Sequence, residues 1–236
     1  MTGSARNLSF GLLMFPDMTQ LDLTGPYEVF SRVPDARTHL LWKTVDPVQT
    51  DRGLIMLPTA TLDECPPLDL ICVPGGPGQV ALMSDETVLA FLRKTAQTCR
   101  YITSVCTGSL VLGAAGLLTG YRATTHWASL DQLSLLGARP VAARVVFDRN
   151  RITGAGVTSG IDFALAVTAH LAGEDVAKQI QLQMEYDPVP PFDAGSPGSA
   201  GPAITTRVAA RMEALQARRR EATLRAADAL QALGEP

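Results

Sequence analysis

Short apolar runs that end at proline, glycine or a small residue restrict the fold of this chain more than any other feature. Three of them span residues 8–15, 70–73 and 101–105. A run without polar alternation is typical of a strand that is buried on both faces, as in a parallel sheet. Helical spacing follows the second and third runs, at 85–98 and 108–115. We therefore predict an α/β fold with a mainly parallel central sheet and helices on both faces.

The rest of the chain adds a hairpin, a loop and further helices. Apolar residues on either side of 148–150 predict the hairpin. Pro26 is well placed to begin a helix after the first strand, because proline suits the first helical position. Residues 188–202 are rich in proline, glycine and serine and predict a loop. A segment rich in Ala, Leu, Arg and Glu at 208–233 predicts a final long helix.

Composition argues against two classes of partner. The chain has 20 Lys and Arg against 23 Asp and Glu, and its formal net charge of -3 gives no general attraction to nucleic acid phosphates. No apolar run approaches the roughly 18 residues that span a bilayer. Residues 1–7 are polar, and no signal-peptide pattern follows them. We expect a cytoplasmic protein with no membrane partner and no nucleic-acid partner.

The chain contains four cysteines, and none belongs to a Cys-x-x-Cys pair. None of the three histidines has zinc-finger spacing, so we expect no metal site. Thiols stay reduced in the cytosol, and buried free cysteines behave as small apolar residues. We interpret Cys65, Cys72 and Cys99 in this way.

Cys106 differs from the others because it stands where the third apolar run ends and a small-residue helix begins. Gly108 and Ser109 permit the close packing that a sharp strand-to-helix turn requires, as in the Gly-x-Ser-x-Gly nucleophile elbow. Backbone N–H groups at the start of a helix stabilise an anion and lower a thiol pKa. We predict that Cys106 is an activated nucleophile; the alternative is a buried structural cysteine at a strand end.

Two further segments follow other strands and so reach the same edge of the sheet. Pro-Gly-Gly-Pro-Gly at 74–78 comes directly after the second run, and its glycines let backbone N–H groups approach a bound oxyanion. An ordinary turn is the alternative, while a phosphate loop is disfavoured because no Gly-Lys-Ser/Thr follows. Asp22 follows the first strand, and its carboxylate can reach this edge. A helix cap or a solvated turn residue is the commoner role of such an aspartate.

Five motifs, in order, make the sequence resemble a known family. They are Leu-Asp-Leu-Thr-Gly-Pro at 21–26, Pro-Gly-Gly at 74–76, Ser-Val-Cys-Thr-Gly at 104–108, Thr-Thr-His-Trp at 124–127 and Thr-Ser-Gly-Ile-Asp at 158–162. The set resembles the ThiJ/PfpI superfamily, also called class I glutamine amidotransferase-like proteins, over residues 8–184. A narrower resemblance, to the bacterial isonitrile hydratases, continues through 183–186 and 190–197.

The resemblance implies a flavodoxin-like sandwich, a homodimer and an enzyme that needs no cofactor. It implies Cys106 as the nucleophile and Asp22 as its acidic partner. The implied reaction hydrates a small-molecule isonitrile to the N-substituted formamide. The residues expected to bind substrate are Gly75, Gly76, His126 and Trp127.

Thr107 departs from the pattern of the PfpI-type proteases, which carry histidine directly after the nucleophile. Without that imidazole we expect no peptidase activity, and we assume no Cys-His-Asp/Glu triad. The Thr107 hydroxyl is instead predicted to take part in catalysis, by hydrogen-bonding the reacting group or positioning water. His126 is expected to orient the region beyond the elbow helix, and a direct catalytic role for it is the less favoured alternative.

The resemblance and the composition together divide the chain into three parts. These are a catalytic domain at 1–187, the Pro/Gly/Ser-rich loop at 188–202 and a C-terminal helical extension at 203–236. The basic run at 218–220 has acidic neighbours on both sides. We interpret it as a solvated helix face or a dimer contact rather than a DNA contact.

Three alternative functions remain open, one of which is a structural or stress-response role for the superfamily fold. An amidase, or a glyoxalase or deglycase of the same superfamily, also needs an activated cysteine beside a carboxylate. An AraC-type regulator fuses a similar sensor domain to a DNA-binding module, but such a module needs about 100 further residues. The region after residue 202 is predicted as one helix, so this alternative is the less favoured one.

Overall fold

The computed structural model describes residues 7–234. Its strands are, in chain order, β1 (Ser9–Leu13), β2 (Arg37–Trp42), β3 (Val48–Gln49), β4 (Ile55–Met56), β5 (Ala60–Thr61), β6 (Leu70–Val73), β7 (Tyr101–Val105), β8 (Arg122–Ala123), β9 (Arg139–Pro140), β10 (Val145–Asp148) and β11 (Arg151–Gly154). β6 and β7 coincide with the second and third apolar runs. The first run gives the shorter strand β1.

Seven strands form one sheet in the order β10-β11-β7-β6-β1-β2-β5. Each neighbouring pair is parallel except β10–β11, which is antiparallel and is the predicted hairpin. β6 and β7 are buried along their whole lengths, as strands covered on both faces must be. The predicted α/β fold with a mainly parallel central sheet is confirmed. The pairs β3–β4 and β8–β9 lie outside this sheet.

Helices flank the sheet and connect most of its parallel strands. They are α1 (Gln20–Phe30), α2 (Gln79–Leu82), α3 (Glu86–Thr95), α4 (Gly108–Ala114), α5 (Gln132–Leu135), α6 (Ser159–Ala172), α7 (Glu174–Gln183) and α8 (Pro197–Gly234). α3 begins where the sequence predicts, because the Asp85 side chain caps it by accepting a hydrogen bond from the Val88 N–H.

The start of α1 differs from the prediction. α1 begins at Gln20, and Pro26 lies inside it rather than at its first position. An interior proline removes one helical N–H donor and is destabilising. Burial of Leu23, Val29 and Phe30 in the core offsets that cost, because each buried apolar side chain contributes about 1.5–3 kcal/mol.

The start of α8 also differs. α8 begins at Pro197, inside the predicted loop 188–202. Gly201 interrupts it with non-helical angles (φ 75°, ψ 168°), and Pro202 then begins the longer part of the helix, in the first-turn position that suits proline. Residues 188–196 have no regular secondary structure. The boundaries of the three predicted parts of the chain stay a prediction.

α8 packs against α2, α4 and α5 of the same chain. Its buried residues include Arg219, Ala222, Thr223 and Ala226. They recur at spacings of three and four, which places them on one face of the helix. The helix therefore covers part of the chain's own α/β unit.

Candidate active site

The carboxyl ends of β1, β6, β7 and β11 meet at one edge of the sheet, because these strands are parallel neighbours. β1 leads into α1, β6 into the glycine segment 74–78, and β7 into the elbow at Cys106. β11 leads into the segment 155–158. Ligands of open α/β sheets bind at this edge, so the fold gathers the predicted site residues where a site is expected.

Cys106 forms the turn between β7 and α4, and its backbone is strained. Its φ is 55°, in the left-handed region that residues other than glycine rarely adopt. Its N–H donates to the carbonyls of Gly154 (3.0 Å) and Ala155 (2.9 Å). Its own carbonyl accepts the Thr125 hydroxyl at 2.9 Å. These bonds hold a conformation that costs about 1–3 kcal/mol, and the predicted sharp strand-to-helix turn is present.

Two glycines beside the elbow are required by the close approach of other groups. A Cβ on Gly108 would lie 2.0 Å from the Val73 carbonyl oxygen, because α4 packs directly against the end of β6. A Cβ on Gly75 would lie 2.5 Å from the Thr107 nitrogen and 2.9 Å from Asp22 Oδ2. The glycine segment, the elbow and the first turn of α1 therefore form one packed group.

Asp22 lies in the first turn of α1, and its side chain is completely buried. Oδ2 accepts the Gly75 N–H at 3.1 Å, whereas Oδ1 is buried and has no partner with hydrogen-bond geometry within residues 7–234. Burial raises the pKa of Asp22 to about 7, although the Cys106 thiol and the Gly75 N–H oppose the rise, and the charge of Asp51 adds to it. Asp22 is therefore neither a solvated turn residue nor a helix cap.

The Cys106 thiol is buried beside this carboxyl, and its pKa is raised well above the usual value. Burial is the largest cause and the negative charge of Asp22 the next, while the N–H groups of Thr107 and Val157 act in the opposite direction. The expectation of a lowered thiol pKa is therefore wrong. α4 has only seven residues, and its first N–H groups do not offset the lost hydration. Because two charges would repel each other, the Cys106–Asp22 pair retains at least one proton at neutral pH.

Thr107 is buried directly after the elbow, and its Oγ1 accepts the Gly76 N–H at 3.1 Å. A hydroxyl that accepts in this way still has its own proton to donate. The Gly75 and Gly76 N–H groups thus both have protein acceptors, Asp22 and Thr107. For the Gly76 N–H to serve as an oxyanion donor, as the sequence suggests, the Thr107 hydroxyl must first turn away.

The hydrogen bond of His126 is local, whereas its ring packs against Gly156, where an added Cβ would lie 2.8 Å from Cδ2. Its Nδ1 accepts the Ala128 N–H at 3.3 Å, and its ring lies 5.6 Å from the Trp127 ring. Burial, and to a smaller extent the positive charge of Arg219, lower the pKa of His126 to about 4. The imidazole is therefore neutral at neutral pH. It is the preceding residue, Thr125, that contacts the elbow.

A cavity of about 480 Å³ opens beside the elbow. Thr125 and Val157, which line it, both contact Cys106, one through its hydroxyl and the other through its N–H. His126 and Trp127 line it as well, together with the chain around the start of α8. The predicted site residues thus form two adjacent groups, one around the elbow and one at the cavity.

Arg219, whose charge acts on His126 at the cavity, was not identified from the sequence. The interpretation of 218–220 as a solvated face holds for the exposed Arg218 and Arg220 but is wrong for Arg219, which is buried. The Arg219 guanidinium donates to the side chains of Gln79 and Ser129. Its helical spacing to the small buried residues of α8 is the signal that could have identified it.

Within residues 7–234 no three His, Cys, Asp or Glu side chains are grouped so that they could hold a metal ion. No helix in the same range is long and apolar enough to cross a membrane.

Comparisons with known proteins agree on one family. The DJ-1/PfpI family model matches residues 10–170. An isonitrile hydratase from Pseudomonas putida is 54% identical over 220 residues, which cover 93% of this chain and 96% of that protein. The crystal structure of a ThiJ/PfpI family protein from Pseudomonas syringae superposes with a TM-score of 0.90 at 44% identity, covering 92% of this chain and 90% of that one.

A regulator from Pseudomonas aeruginosa is a more distant relative. The HTH-type transcriptional regulator GbdR is 30% identical over 187 residues. The match covers 76% of this chain but only 51% of the regulator. This chain therefore resembles one part of that protein and nearly the whole of the Pseudomonas putida hydratase.

Proposed function

The chain belongs to the DJ-1/PfpI family, and from that premise we propose that it is an isonitrile hydratase, which converts R–N≡C and water to R–NH–CHO. Its similarity to the Pseudomonas putida isonitrile hydratase along nearly the whole length of both chains carries the proposal. The site supports it, because hydration adds a nucleophile and a proton to one carbon atom. A thiol and a carboxyl that share a proton are suited to that chemistry.

In the first step we assign Cys106 as the nucleophile and Asp22 as the proton carrier. Asp22 takes the thiol proton as the sulfur attacks the terminal isonitrile carbon. An S–C bond forms, the carbon–nitrogen triple bond loses one π bond, and Asp22 returns the proton to the same carbon. The product is a thioimidate, R–N=CH–S–Cys106. A pKa near 7 lets Asp22 both accept and return the proton near neutral pH.

In the second step water replaces the sulfur. Asp22 takes a proton from water and passes it to the nitrogen, and the water oxygen adds to the thioimidate carbon to give R–NH–CH(OH)–S–Cys106. Collapse of this intermediate breaks the S–C bond and forms the carbonyl. The hydroxyl proton returns through Asp22 to the Cys106 sulfur, so the site is restored and one water is consumed.

The contacts of the carboxyl indicate which oxygen moves the proton. The Gly75 N–H fixes Oδ2, so we assign proton transfer to Oδ1, which is buried and has no other protein partner within residues 7–234. The Thr107 hydroxyl, which keeps its own proton, is assigned to hold the attacking water or the reacting nitrogen. The Gly76 N–H is freed for the intermediate when that hydroxyl turns.

We assign the cavity beside the elbow to the R group of the isonitrile. Trp127, Leu130 and Val157 supply apolar surface to its walls. His126 is neutral near pH 7 and so presents no charge to an uncharged substrate. A volume of about 480 Å³ falls within the range of small-molecule pockets, which favours both aliphatic and aromatic isonitriles.

The alternative enzyme activities, amidase and glyoxalase, are tested in the same assay. The purified chain is incubated with a panel of aliphatic and aromatic isonitriles, and the N-substituted formamide is measured by NMR. Ammonia from simple amides and lactate from methylglyoxal are measured beside it. Formamide production that is lost in Cys106→Ala and kept in Cys65→Ala, a free cysteine away from the site, supports the proposal. No formamide, or formamide at the wild-type rate from Cys106→Ala, contradicts it.

We further propose that the chain acts as a homodimer in the cytoplasm. Large apolar side chains are exposed on and beside the β3–β4 pair, at Val45, Leu54, Ile55 and Leu57, and a group of this kind is typical of an association surface. Four free cysteines fit a reducing compartment. Analytical ultracentrifugation should give twice the chain mass for the wild type and a monomer for Ile55→Asp; a monomeric wild type contradicts the dimer.

A further inference from the structure

Arg219 is the one arginine of the run 218–220 whose side chain is buried. Only 3% of its surface is exposed, whereas Arg218 and Arg220 point to solvent from the same turn of α8. Taking a guanidinium out of water costs several kcal/mol unless hydrogen bonds and an opposite charge compensate it. Hydrogen-bond acceptors or an anion are therefore expected beside Arg219.

Hydrogen bonds connect Arg219 to two segments that border the elbow. Its Nε donates to Gln79 Oε1 at 2.7 Å; Gln79 is buried and begins α2, directly after the glycine segment 74–78. A terminal nitrogen donates to Ser129 Oγ at 3.3 Å, in the one-turn helix that follows His126. These bonds use two of the five guanidinium N–H groups and fix the position of the charge.

No carboxylate neutralises this charge. Within residues 7–234 every ion pair of an arginine or lysine with Asp or Glu involves another residue, whereas the exposed neighbour Arg220 pairs with Asp131 at 3.0 Å. A buried cation without an anion is costly. Within residues 7–234, Arg219 is therefore a buried cation without a carboxylate partner, hydrogen-bonded to segments that border the elbow.

Two titratable groups of the site, Cys106 and His126, interact with the charge of Arg219. Burial lowers the pKa of Arg219, and negative charge at the Cys106 sulfur opposes that shift. Burial also lowers the pKa of His126, and the charge of Arg219 adds to that effect. Asp22 faces the Cys106 sulfur from α1. His126 is neutral near pH 7, so of these groups Cys106 is the one that can bring negative charge to Arg219.

We propose that the guanidinium of Arg219, on the C-terminal helix α8, supplies the counter-charge that stabilises the Cys106 thiolate, while Asp22 carries the proton. Arg219 acts through Cys106 and is a positioning residue, not a catalytic one. The proposal rests on the role of Cys106 as the nucleophile. The charge acts where sulfur becomes anionic, as Asp22 takes the thiol proton and again as the S–C bond breaks to release the formamide.

The test measures the Cys106 thiol without any isonitrile. The rate of iodoacetamide labelling of the Cys106 peptide is followed by mass spectrometry from pH 6 to 11. In Arg219→Gln the thiol pKa should rise by about one unit, with labelling near pH 7.5 slowed about tenfold, since a lost opposite charge disfavours the anion. Arg219→Lys should restore most of the rate, and Arg220→Gln, the matched exposed control, should titrate as the wild type.

Either of two results overturns the proposal. One is a folded Arg219→Gln whose thiol titrates as in the wild type, with Arg219→Met as a second neutral variant should Arg219→Gln fold poorly. The other is an Arg219→Lys variant that shifts the titration of the Cys106 thiol as far as Arg219→Gln does. That result would mean that Arg219 acts through packing and not through its charge. Because no isonitrile is present, a chain without hydratase activity can still pass this test, so the two proposals fail separately.

Discussion

Cys72 and Cys106 lie on neighbouring strands of one sheet, and both thiols are free and buried. Cys72 is inside β6, where burial raises its pKa to about 12 and the Thr103 hydroxyl is the group that opposes the rise. Cys106 follows the last residue of β7, at the carboxyl edge, where backbone turns supply N–H donors and Asp22 is the proposed proton acceptor.

The comparison separates burial from reactivity. Burial raises the pKa of both thiols, so burial alone does not distinguish a nucleophile from a packing residue. What distinguishes Cys106 is its place beside the Asp22 carboxyl and the N–H groups of Thr107 and Val157, to which we add the proposed counter-charge of Arg219. Such groups converge at strand ends, where backbone amides are not used by the sheet.

The sharpest contrast is expected from removing each thiol. Cys106→Ala should lower kcat/KM for an isonitrile by about 10⁴-fold or more, because no other group can form the thioimidate. Cys72→Ala should keep activity within about twofold and lower the free energy of unfolding by about 1 kcal/mol, through a small cavity in β6. Formamide kinetics and urea unfolding measure both. Equal losses of activity would remove the distinction between the two positions.

The next effect concerns the carboxyl that only Cys106 uses for proton transfer. Asp22→Asn keeps the shape of the side chain but cannot carry a proton, so kcat should fall by about 10²–10⁴-fold. The matched control is Asp51→Asn, which removes a nearby charge that raises the pKa of Asp22 without touching the thiol. It should keep most of the activity. If the Asp22→Asn enzyme keeps its activity, another group carries the proton.

The buried carboxyl should also make stability depend on pH. The folded-state pKa of Asp22, about 7, is above its ordinary value of 3.8, so the folded chain binds more protons than the unfolded one between these values. Stability relative to Asp22→Asn should therefore fall as pH rises from about 4 to 7 and stay low above it, by up to about 4 kcal/mol. Urea unfolding of the two proteins from pH 5 to 8 measures the difference, and a constant difference contradicts the raised pKa.

A smaller effect tests the packing at the carboxyl edge. Gly75→Ala places a Cβ 2.5 Å from the Thr107 nitrogen, and relief of such a clash should cost about 1–3 kcal/mol of stability and displace Asp22 from the thiol. Gly198→Ala, in the first turn of α8, meets only the Ser196 hydroxyl at 3.9 Å and serves as the control. Thermal melting and formamide kinetics should separate the two; matching behaviour would mean that the edge tolerates movement.

The sheet and the elbow could be predicted because their signals are local. β6 and β7 are runs of adjacent apolar residues, and the turn at Cys106 follows from the small residues beside it. The parallel order of the strands then brings the glycine segment and Asp22 to the same edge. Each of these inferences needs only neighbouring residues and one rule of topology.

The electrostatics of the site could not be predicted in the same way. Local sequence favours a lowered pKa for Cys106, yet the thiol is buried against Asp22, which comes from a distant part of the chain. The burial of Arg219 likewise depends on α8 folding back over α2 and α5. Hydration is lost through tertiary contacts, so the direction of a pKa shift depends on residues that no local motif contains.

The thiol titration of Asp22→Asn, compared with that of the wild type, tests most directly whether Cys106 and Asp22 share a proton. Iodoacetamide labelling of the Cys106 peptide from pH 6 to 11 gives both curves. The negative charge of Asp22 raises the pKa of Cys106, so the neutral asparagine should lower the thiol pKa even though it greatly slows turnover. An unchanged thiol pKa in Asp22→Asn would show that the two groups titrate independently, and a higher one would show that Asp22 stabilises the thiolate; either result would contradict the shared proton.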